Sequence, residues 1–176
     1  MFKLAVCQIR TETDKAVTMQ KAESMVCEAA ENGANVVILP EMFNCPYDKA
    51  YFKPFAKTEN GESIEAMSAW ARDNDIILIG GSIPEKDGDK LYNTCFVFNQ
   101  DGRQIARHRK VHLFDVDLPG MRFFESHTFA PGNEITVFHQ NGKGGVFLTF
   151  GFFDGAVAPH GNAVHVDHFG GGVIFS

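Results

Sequence analysis

An α/β fold with sheets layered against helices is what this sequence predicts. Two observations carry that expectation. Apolar runs at Phe2–Ile9, Asn35–Leu39 and Ile76–Ile83 alternate with two segments of helical periodicity, in the order β-α-β-α-β. The chain after residue 84 then breaks into short strand-like runs parted by turn residues, which is the pattern of hairpins. Elements ordered in this way stack helices over sheets.

Each element has its own justification. Phe2–Ile9 is a short apolar run with strand character. Over Asp14–Gly33, residues Val17, Ala22, Met25, Val26 and Ala29 fall on one helical face, and Gly33 suits a C-terminal cap. Asn35–Leu39 lacks polar alternation, as expected of a strand covered on both faces. Glu62–Asp73 reads as a second helix, with Ile64, Met67, Trp70 and Ala71 inward. Ile76–Ile83 is a strand ended by Pro84, and Lys86–Lys90 a charged turn. Leu91–Asn99 and Arg103–Arg109 form a hairpin about Gln100-Asp101-Gly102. Lys110–Asn133 is expected to be a long irregular loop, a class that is commonly functional. Ile135–His139 and Val146–Phe150 are two more strands, and Gly170–Phe175 has the look of the start of another.

Composition narrows the function classes. The net charge is −6, which disfavours nucleic acid and anionic membrane, since both are bound by concentrated Lys and Arg. Arg107-His108-Arg109-Lys110 is the nearest basic cluster, and it is short. No apolar run reaches the ~20 residues that cross a bilayer. The N-terminal run is too short for a signal peptide. Cys7, Cys27, Cys45 and Cys95 are scattered and form neither a CxxC pair nor a zinc spacing, so reduced thiols in a cytosolic protein are expected. Nothing marks a repeat or an interdomain linker, so residues 1–176 are taken as a single domain, with 141–176 atypical in its glycine content and paucity of charge.

Three residues could carry chemistry. Glu41 follows the buried strand directly, at the carboxyl end where open α/β sheets bind ligands. Lys110 ends a strand and enters the long loop, where an ammonium could stabilise an oxyanion. Read one at a time, each is better explained as a solvated surface charge. Glu125 lies within an apolar patch of the same loop; burial would make it seek a cation, for which Lys110 is the candidate. His160, His165, Asp167 and His168 cluster in the tail but match no closed zinc pattern, and are expected to be incidental.

Several stretches together resemble the nitrilase, or carbon–nitrogen hydrolase, superfamily, in its ω-amidase-like branch: FKLAVCQI, LPEMFNCPY (Leu39–Tyr47), LYNTCFVF (Leu91–Phe98), RHRKVHLFD (Arg107–Asp115) and FFESHTFAPG (Phe123–Gly132). The resemblance covers roughly residues 2–140. It implies an α-β-β-α sandwich, paired across a two-fold as a homodimer. It implies hydrolysis of small amides of dicarboxylic or 2-oxo acids with no cofactor and no metal. Glu41 would be the general base, Lys110 would stabilise the tetrahedral intermediate, and Glu125 would orient Lys110 and substrate. A carboxylate and an ammonium side by side suit activation of a thiol.

The same resemblance places the nucleophilic cysteine at a strand-to-helix elbow, in a pattern like G-x-C-Y-D-x-R. The matching stretch here is Gly151-Phe152-Phe153-Asp154-Gly155-Ala156, so Phe152 stands at the cysteine position and Ala156 at that of arginine. A phenyl ring cannot attack a carbonyl. Thr149 lies off the elbow, and Cys45 belongs to a different motif. The family continues past this point with further strands, so a sandwich truncated at its C-terminus is expected. Two functional expectations follow: an ω-amidase scaffold that is impaired or inactive, and, as the alternative, a non-catalytic member that binds a small carboxylate or a partner chain, or a fragment without function.

Overall fold

The computed structural model describes residues 3–140, 143–148, 166–169 and 172–175. The elbow around Phe152, with Thr149, His160 and His165, lies outside the described residues.

Strand β1 (Leu4–Cys7) leads into helix α1 (Lys15–Glu31), followed by β2 (Val36–Ile38). The helix starts where the Asp14 carboxylate accepts the Ala16 N–H at 2.9 Å, satisfying an otherwise orphan donor. It ends as expected at Gly33, whose φ of +84° lets the chain reverse. Thr18, Ala22, Val26 and Ala29 form its buried face. Val17, expected inside, is 40% exposed, and Thr18 takes its place on the buried face.

Two helices separate β2 from the next strand. The first, α2 (Lys49–Phe55), has no long apolar stripe and was missed in the sequence; Asp48 caps it and it anchors through Phe52. The second, α3 (Glu62–Asp73), has the expected bounds and buries Ile64, Met67, Trp70 and Ala71. The expected single strand Ile76–Ile83 is two: β3 (Ile77–Ile79) and β4 (Ile83–Asp87), broken at Gly80-Gly81. Pro84 lies inside β4 rather than ending it, which the last strand of a sheet tolerates.

The β4–β5 and β5–β6 hairpins complete the main sheet, with β5 at Lys90–Phe98 and β6 at Gln104–Arg109. The stretch expected to be an irregular loop folds into a hairpin, β7 (Asp115–Leu118) with β8 (Met121–Phe124), and then a 3-10 turn at Glu125–His127. Next come β9 (Thr136–Gln140) and β10 (Lys143–Leu148), which pair with each other. The last strands are β11 (Val166–Phe169) and β12 (Gly172–Phe175), the latter near its expected place.

The main sheet runs β11-β12-β1-β2-β3-β5-β4, with β6 beside β5. β1, β2 and β3 are mutually parallel, and the hairpin strands are antiparallel. Alternate residues feed two cores. Val37, Leu78, Phe96 and Phe98 point at α1 and α3, while Val36, Ile77, Ile79, Cys95 and Val97 meet Phe138 of β9 on the other face. Burial on both faces explains why β2 and β3 read as unbroken apolar runs. The α/β layering expected from the sequence is thus present: helices on one side of a mixed sheet, and the β9–β10 hairpin on the other.

Candidate active site

A third apolar cluster builds the floor of the site. Met42, Cys45, Phe52 and Phe129 are buried together, with Leu91, Leu113 and Phe123 against them. Phe52 touches the rings of Tyr47, Phe123 and Phe129, so α2 serves as the prop on which the long loop rests. A fully buried phenylalanine contributes roughly 1.5–3 kcal/mol.

Three segments bring charge to this floor. Glu41 follows Pro40 at the carboxyl end of β2. Its position is set by the next residue: Met42 is buried and has φ of +52°, a conformation L side chains seldom adopt. The Met42 N–H is held by Ser82 Oγ at 3.0 Å, and the Phe43 N–H by the Ser82 carbonyl at 3.1 Å. Gly81 makes this approach feasible, because a Cβ there would collide with the carbonyls of Leu39 and Pro40. Lys110 continues β6, fixed by its N–H to the Asn93 carbonyl (2.8 Å) and by its own carbonyl to the Gly132 N–H (2.8 Å). Glu125 opens the 3-10 turn after β8 and is fully buried.

Lys110 Nζ lies 2.7 Å from Glu41 Oε1 and 2.9 Å from Glu125 Oε2. The structure therefore brings together all three residues singled out in the sequence, from chain positions as far apart as 41 and 125. Lys110 is 4% exposed. Burial works against its charge, but the hydrogen bonds and charges of Glu41 and Glu125 outweigh that, and its pKa rises above that of an ordinary lysine. Glu125 also accepts the Phe114 N–H at 2.6 Å, which ties the 3-10 turn to the entry of the β7–β8 hairpin. Glu41 differs from its partners in keeping 39% of its side chain open to solvent. The cluster carries two carboxylates and one ammonium, so one negative charge remains.

Asn93 on β5 was not singled out in the sequence. Its Nδ2 donates to Glu41 Oε1 at 2.8 Å and to Glu125 Oε1 at 2.9 Å. A buried amide in the LYNT run is the only sequence signal for it. Tyr47 also borders the site, packed edge-on to Phe52 and tilted on Phe123. Burial, then the charges of Glu125 and Glu41, push its phenol pKa up, so it stays a neutral hydrogen-bond donor.

Arg107 and Arg109, part of the basic cluster noted in the sequence, are not a free anion surface. Arg109 grips the buried Glu85 through Nε and Nη2 (3.0 and 3.1 Å) and reaches Asp87 at 2.6 Å. Arg107 pairs with Glu85 at 2.9 Å and with Glu59 at 2.8 Å. Along β6, Arg109 and Lys110 point to opposite sides, which separates this ion-pair network from the site.

The Cys45 thiol is no substitute nucleophile. It is 1% exposed, its Sγ faces the Pro46 carbonyl at 3.4 Å, and burial pushes its pKa up to about 12. Among the described residues, no group of three or more His, Cys, Asp and Glu could hold a metal. No described helix is long and apolar enough to cross a membrane.

The sequence profile of the carbon–nitrogen hydrolase family matches residues 3–151. The chain belongs to the carbon–nitrogen hydrolase family. Relatives within it include the omega-amidase NIT2 of Danio rerio, 50% identical over 138 residues (78% of this chain, 50% of that one). The Homo sapiens omega-amidase NIT2 is 47% identical over the same share of each chain. This carbon–nitrogen hydrolase chain spans about half the length of the curated relatives it matches. Among solved structures, Saccharomyces cerevisiae Nit3, a member of branch 10 of the nitrilase superfamily, superposes with a TM-score of 0.70. It is 35% identical, over 80% of this chain and 52% of Nit3. The Caenorhabditis elegans NitFhit protein gives 0.65 at 29% identity, over 77% of this chain and 34% of that one.

Proposed function

We propose that the chain carries the carboxylate-and-ammonium part of an ω-amidase-like hydrolase site, shaped for amides of small dicarboxylic or 2-oxo acids. We propose further that Phe152 leaves it without the nucleophile that turnover requires. The observation that supports this best is the clamping of Lys110 between Glu41 and Glu125, with Glu41 alone open to solvent.

The chemistry such a site performs with a thiol can be written step by step. Glu41 takes the thiol proton, sulfur bonds to the amide carbon, and the carbonyl oxygen becomes an oxyanion beside Lys110 Nζ. The C–N bond then breaks, and the leaving nitrogen takes the proton back from Glu41. Water, deprotonated by Glu41, then adds to the thioester carbon, the C–S bond breaks, and the departing thiolate takes the proton back from Glu41. Glu125 holds the ammonium in place throughout. Phe152 removes the atom that would form the first bond, so the expected behaviour is binding without turnover.

The residual negative charge of the cluster bears on what is bound. It favours a neutral amide over a second carboxylate at the reacting end, because an anion there would meet a cluster with more negative than positive charge. This weighs against the alternative of a dedicated carboxylate-binding module. A cytosolic setting suits the buried, unpaired thiols among the described residues, and a two-fold homodimer is the assembly suggested by the family likeness.

The test is a titration of the unmodified chain with a small dicarboxylic acid monoamide and with the matching diacid, followed by NMR. The reading expects the monoamide to perturb resonances of Glu41 and Lys110, with no ammonia released. Tighter binding of the diacid at these residues would support the binding-module alternative instead.

A further inference from the structure

One buried residue is hydrogen-bonded to every charged member of the cluster. Asn93 is 2% exposed. Its backbone carbonyl accepts the Lys110 N–H at 2.8 Å, and its side-chain nitrogen donates to Glu41 at 2.8 Å and to Glu125 at 2.9 Å. A primary amide has two N–H donors, and carboxylates only accept, so the nitrogen must face both acids and its two hydrogens are both engaged. The register places Asn93 opposite Pro84 on one side of β5, while the neighbouring Thr94 pairs with Arg109 on the other. Thr94 points at Glu85 instead, its Oγ1 donating to Oε2 at 2.6 Å.

We propose that Asn93 is a positioning residue, which sets the orientation of the Glu41 carboxylate and couples it to Glu125. Lys110 and Asn93 both bind Glu41 through Oε1. The carboxylate is thereby held with Oε1 turned inward and Oε2 presented to a ligand. Glu41 precedes the strained Met42 and is partly open to solvent, so among the described side chains only Lys110 would restrain it without the amide. Asn93 also gives Glu125 Oε1 a partner, leaving Oε2 for Lys110 and the Phe114 N–H. This assignment rests on the reading of the cluster as the reacting site.

Two measurements test it. The first needs no change at residue 93: the side-chain amide protons of Asn93 are observed by NMR in the unmodified chain. One proton is expected to shift on Glu41→Gln and the other on Glu125→Gln, with both exchanging slowly with solvent. An Asn93 amide that ignores Glu41→Gln overturns the proposal. The second uses Phe152→Cys as parent and adds Asn93→Ala or Asn93→Ser. The expected result is a fall in kcat of about 10- to 100-fold with KM little changed, the mark of lost alignment. Partial recovery is expected in Asn93→Ser, which keeps one donor. A change confined to KM, or to thermal stability alone, overturns the positioning role. If Phe152→Cys gives no turnover at all, the functional reading fails, and the amide spectrum decides the Asn93 assignment by itself.

Discussion

At the scale of single residues, the site is a balance of charges that tolerates little loss. Among the described residues, Lys110 is the only cation touching Glu125, which is fully buried. Lys110→Met would leave that carboxylate with neutral donors alone, and breaking a buried pair from one side costs about 3–5 kcal/mol. We expect a destabilisation in that range by denaturant unfolding, and a much smaller one for Glu41→Gln, whose side chain reaches water. Equal effects of the two changes would contradict the burial order described here. Glu125 is also where sequence reading succeeded most directly, since an acid inside FFES announced its need for a cation. Asn93 gave no such notice: an amide between Tyr92 and Thr94 of a strand reveals its role only when Glu41 and Glu125 are brought to it from distant segments.

At the scale of elements, the turn between β3 and β4 governs where Glu41 sits. Gly81 has φ of +52°, and the space for a Cβ is already taken by Pro40 and Leu39 carbonyls. Gly81→Ala is expected to cost more than the ~1–2 kcal/mol of a left-handed non-glycine residue, because the clash adds to the strain. The measurable consequence is a lowered unfolding midpoint together with shifted Glu41 resonances. A neutral Gly81→Ala would contradict the account of how the Glu41 loop is held. Sequence patterning found α1, α3 and the β5–β6 hairpin because each carries a complete periodic signal. It missed α2, which has only seven residues and is defined by what Phe52 packs against. It ran β3 on to Ile83, the first residue of β4, because the pair of glycines between them reads equally as strand interior, and it took Pro84 for an end and Lys86–Lys90 for a turn. The β7–β8 hairpin has only four residues in each strand, so the alternation of Asp115-Val116-Asp117-Leu118 is too brief to stand out.

At the scale of the whole molecule, buried thiols make the fold sensitive to alkali. Burial raises the pKa of Cys7 and Cys45 from 9.0 to about 12. A group whose folded pKa is raised contributes stability that is complete below its unfolded pKa and is lost as pH rises through the folded value. Stability is therefore expected to decline from about pH 9 and to go on falling towards pH 12, with Lys110 acting in the same direction. Thermal midpoints measured across that range check this, and Cys45→Ala should flatten the slope. A midpoint that rises between these limits would contradict the burial of the thiols. The layered α/β plan was legible from element order alone, since uninterrupted apolar strands demand cover on both faces. The family was legible from motifs, and the meeting of Glu41, Lys110 and Glu125 followed from it. The function proposed above turns on Phe152.

Ammonia release from a small dicarboxylic acid monoamide tests that point most directly. The unmodified chain is expected to release none. Phe152→Cys is expected to gain turnover, which Glu41→Gln in that background lowers by about 100-fold or more, the usual share of a general base. Turnover by the unmodified chain that persists in Glu41→Ala would contradict the account.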